Sequence, residues 1–157
     1  MKVFQDFNGF MEDIPIMVDR ELSLVCAEKV PEDPVKGWAP MYNFSIVVDG
    51  VTVGNVNLRI GYFGDLEFKG QIGYDVDVAH RGKGYAARGV KLLAPVAKFH
   101  KMEKLLITCN VDNLPSARVC EKLGLTLLRT TDVPEWHDCY KRGERRFKIY
   151  EWDLTNE

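Results

Sequence analysis

Along residues 21–30 apolar and polar positions alternate, with Leu22, Leu24 and Cys26 on one side, the pattern of a half-buried strand. The same alternation recurs over residues 42–50 and 52–61, and Asp49-Gly50 between them predicts a two-residue hairpin turn. Residues 70–78 add a fourth strand, with Ile72, Tyr74, Val76 and Val78 on one side and Asp75 and Asp77 on the other. From residue 83 to about 100 the spacing becomes Ala86, Val90, Leu93, Ala97, the stripe of a helix packed on a sheet, with Pro95 expected to bend or fray it. Residues 104–110 form a short apolar run suited to a buried strand. Residues 113–124 then carry Asn113 at a capping position, Pro115 in the first turn and Gly124 at the stop of a second helix. Residues 125–133 and 145–154 close the chain as strands. The predicted order is ββββ-α-β-α-ββ, an α+β architecture of about seven strands and two main helices.

Composition narrows the class. The chain has 157 residues, 46% of them apolar, enough for one core, and a single domain over residues 1–157 is expected. The formal charge is −2 with both signs interspersed, so no overall field favours nucleic acid or a membrane surface, and any anion site must be local. Cys26, Cys109, Cys120 and Cys139 lie far apart without a CxxC pair; neither a zinc ribbon nor a disulfide framework is read, and reduced thiols in a cytoplasm are expected. The N-terminal stretch is broken by Asp6, Glu12, Asp13 and Pro15, unlike a secretory signal. No run approaches the roughly 18 apolar residues of a membrane span.

The chemistry concentrates in AHRGKGYAARGVKLL, residues 79–93, where a strand pattern gives way to a helical one. Gly82 and Gly84 let backbone N–H groups approach a ligand closely, and Arg81, Lys83 and Arg88 supply attraction for an anion such as phosphate. A bare strand-to-helix turn needing only glycine geometry is the alternative. GKGYAA also matches the dinucleotide fingerprint, but Glu103 precedes the next strand instead of ending it, and four antiparallel-looking strands upstream do not fit a doubly wound sheet. No P-loop pattern is present.

Two blocks carry a family resemblance. RGKGYA (Arg81 to Ala86) resembles the acyl-CoA pyrophosphate loop of the GNAT N-acetyltransferases, Gln/Arg-x-x-Gly-x-Gly/Ala. CNVDNLPSARVCEKLGL (Cys109 to Leu125) resembles their second block, Asn-x-x-Ser/Ala-x-x-apolar-Tyr-x-x-x-Gly-Phe. Order and separation agree over residues 72–125, and the subtype is similar to the small ribosomal-protein N-acetyltransferases. The resemblance implies a GNAT fold with a mostly antiparallel sheet splayed at its centre. The two-helix segment that the family carries after its first strand is curtailed to VPEDPVKGWAP, residues 30–40.

The resemblance further implies acetyl-CoA as acyl donor, no metal, and a primary amine of a small molecule or peptide as acceptor, in a monomer or homodimer. Backbone groups of Val76 and Val78 would bond the cofactor arm, with an N–H near Val76 polarising the thioester carbonyl. Arg81, Gly82, Lys83, Gly84, Tyr85 and Ala86 would hold the pyrophosphate, and Asn113 and Ser116 would contact the arm. Asn110 and Asn113 also serve as plain caps. Cys120 stands where many members place the tyrosine that protonates the leaving thiolate; a half-buried helix cysteine is more often inert packing. Asp75, with Asp77 and Glu67 as alternatives, is the candidate amine-facing carboxylate, and His80 points at phosphate as readily as at substrate. His137, Asp138 and Cys139 are read as part of a loop lining the acceptor pocket. Asp65, Glu67, Asp75, Asp77, Glu135 and Asp138 predict an acidic acceptor rim, with Trp38 and Trp136 as an aromatic wall or as core. A CoA-binding or sensory module without turnover is the other class of function.

Overall fold

The alternating segments assemble into a five-stranded antiparallel sheet. The computed structural model, which describes residues 7–62 and 66–156, orders its strands β1 (Met17–Asp19), β2 (Leu22–Val30), β3 (Met41–Val48), β4 (Val51–Arg59) and β5 (Ile72–Val76). In β3 the even positions Tyr42, Phe44, Ile46 and Val48 are buried and the odd ones half-buried, so one face carries the core and the other stays open. The Asp49-Gly50 hairpin forms as expected: Val48 faces Val51 across it, and both turn residues have positive φ, 49° and 80°, as a type I′ turn requires. β1 was not anticipated. Three residues are too few for a periodic signal, yet Met17 pairs with Leu24 and is buried.

A second sheet contains β6 (Lys104–Asn110), β7 (Thr126–Asp132) and β8 (Arg146–Asp153) in the order β6-β8-β7, again antiparallel. Among the described residues eight strands in two sheets stand where about seven were expected. Two short helices are added: α1 (Leu66–Lys69), where no element was assigned, and, near the C-terminus, α5 (Asp138–Lys141), in the stretch read as a loop.

The helix predicted over residues 83–100 is two helices, α2 (Tyr85–Lys91) and α3 (Ala94–Phe99). Pro95 sits in the first turn of α3, where its missing N–H leaves nothing unpaired, and the link tightens as Leu92 and Leu93 N–H donate to Gly89 and Val90 carbonyls. Gly89 lets α2 lie close on the sheet: a Cβ there would stand 3.1 Å from Val56 Cγ2 and 3.2 Å from Ile46 Cδ1. Arg88 does not face an anion site. Its Nε donates to Asp19 Oδ2 at 2.7 Å, its Nη2 donates to Asp19 O at 2.8 Å and meets the Glu21 carboxylate, tying α2 to the β1–β2 turn. The second predicted helix is α4 (Leu114–Lys122), begun by Asn113 Oδ1 accepting from Ser116 N–H. It stops at Gly124 (φ 71°), with Leu125 N–H donating to Cys120 O and Gly124 N–H to Glu121 O, the paired bonds of a Schellman end.

Candidate active site between the two sheets

β5 and β6 belong to different sheets and part from a single joined end. Gln71 makes that joint. Its N–H donates to Leu106 O, its Oε1 accepts from Leu106 N–H and its Nε2 donates to Gly61 O, each at 2.8 Å, with no part of the residue exposed. Beyond it the strands diverge. The β4–β5 register, with Asp77 N–H donating to Val53 O and Arg59 N–H to Gln71 O, turns the backbone groups of odd β5 residues toward β4. The N–H and C=O of Tyr74 and Val76 therefore point into the gap.

β5 ends at Val76, so Val78 opens a single 3-10 turn, Val78–His80, and its side chain is exposed. The glycine loop follows. Gly82 and Gly84 both take positive φ, 82° and 79°, a region open to glycine and costly to most side chains. A Cβ at Gly82 would meet nothing within 4 Å, whereas one at Gly84 would stand 2.5 Å from Lys122 Nζ. Lys122, on α4, thus brings a cation to the loop beside Lys83 and Arg81, and its distance in sequence hid this. Arg81 Nε donates to Val76 O at 2.7 Å, and its Nη2 lies 3.5 Å from Asp75 Oδ1. Tyr85 and Ala86 are half-buried at the start of α2, packed on the core.

On the open face of the large sheet lies a cleft of about 670 Å3. It is lined by Trp38 and Ala39 from the β2–β3 connection, Met41 and Arg59 from the large sheet, Phe68 and Lys69 from α1, and His137, Asp138, Cys139, Arg142 and Glu144 from the region of α5. Tyr74, Cys109, Asn110, Asn113 and Ser116 line it where β5, β6 and α4 meet. The 137–139 stretch expected to line a pocket is part of this lining. The aromatic wall is Trp38, since Trp136 is not among the lining residues. Of the expected acidic rim, Asp138 lines the cleft among the described residues and Asp75, Asp77 and Glu135 do not, while Asp65 and the Glu67 side chain lie outside the described residues. Arg59, Lys69, Arg142 and Glu144 also line it. Asp75 follows cleft-lining Gly73 on the same face of β5, about 7 Å further along. His80 lies on the loop side and is not part of the lining.

His137 is buried and begins α5, its Nδ1 accepting from Cys139 N–H at 3.2 Å, so the stretch read as a loop is a capped helical turn. Burial, followed by the neighbouring Glu144, pushes the Cys139 thiol up to about 11; Arg142 Nη2 lies 2.9 Å from its sulfur.

Cys120 is fully buried under α4. Burial pushes its thiol up to about 12, and the side chain does not line the cleft. The Tyr74 hydroxyl approaches it from β5. The phenol oxygen lies 2.6 Å from Ser116 Oγ, 3.1 Å from Ser116 O and 3.9 Å from Cys120 Sγ. Burial raises the Tyr74 phenol well above its ordinary value and also raises the Cys109 thiol. Gln71, Tyr74 and Lys122 are the site residues that motif reading did not single out.

Among the described residues no group of three or more His, Cys, Asp or Glu could hold a metal ion, and no helix is long and apolar enough to cross a membrane.

A splayed joint between two antiparallel sheets, a glycine loop leading into a helix at one side and a cleft at the other define an acyltransferase architecture. The model of the acetyltransferase (GNAT) domain matches residues 21–126, and the chain belongs to this family of acetyl-CoA-dependent acetyltransferases. No curated protein matches significantly in sequence. Among solved structures, the apo ribosomal L7/L12 alpha-N-protein acetyltransferase RimL is similar, with a TM-score of 0.65 and 18% identity over 88% of this chain and 97% of that one. RimL in complex with coenzyme A, as a CoA–cysteine disulfide, gives 0.66 and 15% over 91% and 100%. The microcin C7 self-immunity acetyltransferase MccE, bound to acetyl-CoA and AMP, gives 0.57 and 22% over 72% of this chain and 61% of that one.

Proposed function

We propose that this acetyltransferase moves the acetyl group of acetyl-CoA to the primary amine of a peptide N-terminus or a small molecule by direct attack. The observation that carries the reading is the meeting, at Tyr74, of the gap-facing backbone groups of β5 with the inner end of the cleft. The loop from Arg81 to Ala86, with Lys122 beside Gly84, suits a pyrophosphate, since glycine backbone and cations converge without an intervening side chain. Val76 O and N–H are placed to bond an amide-bearing arm, and Asn113 and Ser116 border it from α4. Arg81 must leave Val76 O for this, and a phosphate gives its guanidinium a better partner.

The bound acyl donor supplies an activated carbonyl at the gap. A fixed N–H near Val76 polarises it, needing no reorganisation as negative charge develops, and the cleft holds the amine nitrogen in line, which supplies much of the acceleration. Asp75, next to Val76 on β5, relays the amine's proton through water. Val76 and Val78 act through their backbones, so their side chains tolerate apolar replacement.

The cleft lining selects among amines. Charges of both signs, Arg59, Lys69 and Arg142 with Asp138 and Glu144, suit a peptide, whose amine is followed by a string of carbonyl acceptors and N–H donors, better than a polyamine, which offers cations alone. The RimL neighbours act on a protein alpha-amine, in keeping with this choice. Thermal unfolding with and without acetyl-CoA, followed by CoA release with a short peptide, its N-acetylated form and spermidine, tests the reading. The expected result is a raised Tm, with release driven by the free peptide more than by spermidine and not at all by the blocked peptide. A raised Tm with no release for any amine would mark a CoA-binding module without turnover. Faster release with spermidine would overturn the acceptor assignment alone.

A further inference from the structure

We propose that Tyr74 is the proton donor to the departing CoA sulfur, supplying from β5 the hydroxyl that α4 lacks at Cys120. The inference rests on the proposed acetyl transfer and assigns a residue within it. A general acid must lie at the leaving atom, and that atom lies where the cofactor arm in the gap meets the acceptor cleft. Tyr74, Cys109, Asn113 and Ser116 form that meeting point. Cys120 is fully buried below it. The phenol of Tyr74 crosses from the opposite wall and ends 3.9 Å from the Cys120 sulfur.

The hydrogen bonds at the phenol fit the role. The phenol lies 3.1 Å from Ser116 O, which can only accept, and 2.6 Å from Ser116 Oγ, where either hydroxyl can donate. Its single proton therefore has neutral acceptors only, from which it can turn to a thiolate, and when the phenol oxygen becomes anionic Ser116 Oγ–H can donate to it. The titratable neighbours are the thiols of Cys120 and Cys109, both held neutral by burial. In the step, the amine nitrogen's lone pair forms the C–N bond, the C–S bond breaks with its pair going to sulfur, and the phenol O–H gives its proton to that sulfur. The proton released from the amine nitrogen returns through cleft water to the phenolate, so one proton leaves nitrogen and one arrives on sulfur.

Tyr74→Phe keeps the ring and removes the proton. Its expected effect is a fall in kcat of about 100-fold with KM for acetyl-CoA unchanged. The deficit should shrink to a few-fold when acetyl-CoA is replaced by an acetyl thioester of an acidic aryl thiol, which leaves without a proton. A reading independent of turnover is the pKa of the CoA thiol bound to the protein, followed by thiolate absorbance: the phenol's hydrogen bond favours the thiolate, so this pKa is higher by about one unit in Tyr74→Phe than in wild type. If Tyr74→Phe loses its near-ultraviolet circular dichroism, Tyr74→3-fluorotyrosine keeps ring and hydroxyl, and its stronger donor should lower the pKa of the bound CoA thiol below that in wild type. A Tyr74→Phe enzyme with unchanged kcat, an equal deficit for both thioesters, or a bound thiol pKa that the variant leaves unmoved overturns the proposal. A wild type that binds no CoA overturns the parent reading with it.

Discussion

Replacing Gln71 should both weaken the fold and spoil the site, because one buried amide joins the two sheets. Gln71→Met keeps volume and removes the amide. Two backbone groups then lose their partners, Leu106 N–H and Gly61 O, each now bonded at 2.8 Å. An orphaned buried group costs about 1–3 kcal/mol. Allowing for the amide dehydration that methionine avoids, the net loss is roughly 2–4 kcal/mol. A chain of this length loses about 2–4 °C of Tm per kcal/mol, so Tm should drop by roughly 4–16 °C. Gln71→Glu separates polarity from shape. Its carboxylate can still accept from Leu106 N–H but opposes Gly61 O, and only the protonated acid restores that donor. Its folded pKa is therefore raised above the unfolded value of about 4.3; the native state is favoured below that value and the advantage is lost as pH rises through the folded pKa. Urea denaturation of the three proteins at pH 5 and pH 8 reads both effects, and kcat reads the gap. A Gln71→Met protein within about 0.5 kcal/mol of wild type, or a Gln71→Glu deficit that does not grow with pH, would refute the claim that this amide holds the joint.

Three further outcomes follow from the site and its supports. Gly84→Asp should abolish the Tm rise given by acetyl-CoA, which at 100 times Kd amounts to about 2.7 kcal/mol in wild type, since the new side chain meets Lys122 Nζ and places a carboxylate among the cations; an undiminished rise removes the loop from the cofactor site. Cys120→Ala should avoid the 100-fold or larger loss expected for a lost general acid and flatten the alkaline stability profile. The thiol's folded value of about 12 exceeds the unfolded value of about 8.5, so its contribution is complete below about 8.5 and drains away toward 12, by at most about 1.4 kcal/mol per pH unit; urea denaturation at neutral and alkaline pH shows whether the mutant loses that slope. Arg88→Met should lower Tm by freeing the β1–β2 turn. Because Arg88 holds Asp19 below the usual carboxylate range, the gap from wild type should narrow as pH falls below about 3.9; a gap constant with pH would detach the effect from Asp19.

The strands from β2 to β5 were legible because an open-faced antiparallel sheet writes its burial as alternation, and the Asp49-Gly50 turn fixes the register between two of them. α4 was legible because its start and stop are local chemistry: Asn113 caps it and Gly124 ends it. What escaped was short or non-local. β1 is held by pairing with β2 and by Arg88, and neither leaves a periodic trace in three residues. The stripe over residues 83–100 was right about which side chains are buried, Val90, Leu93 and Ala97 among them, but periodicity carries through the Leu92–Leu93 link, so a broken helix reads as a continuous one.

The glycine loop could be read because its chemistry is contiguous, whereas the rest of the site is assembled from places far apart in the chain. Lys122 reaches Gly84 from the far end of α4, and Gln71 pairs with Leu106 across 35 positions. Arg59, Lys69 and Arg142 converge on one cleft from three parts of the chain, so adding up the acidic residues near β5 missed the cations in its lining. The strand alternation itself placed Tyr74 on the buried side, in line with Ile72 and Val76, where an aromatic is ordinarily packing. Only the placement of its hydroxyl, against Ser116 where β5 and α4 meet, separates the two roles: a phenylalanine would fill the same space without it. The empty tyrosine position on α4 and the unexpected phenol on β5 are therefore one observation, the same hydroxyl brought to the gap from the other wall.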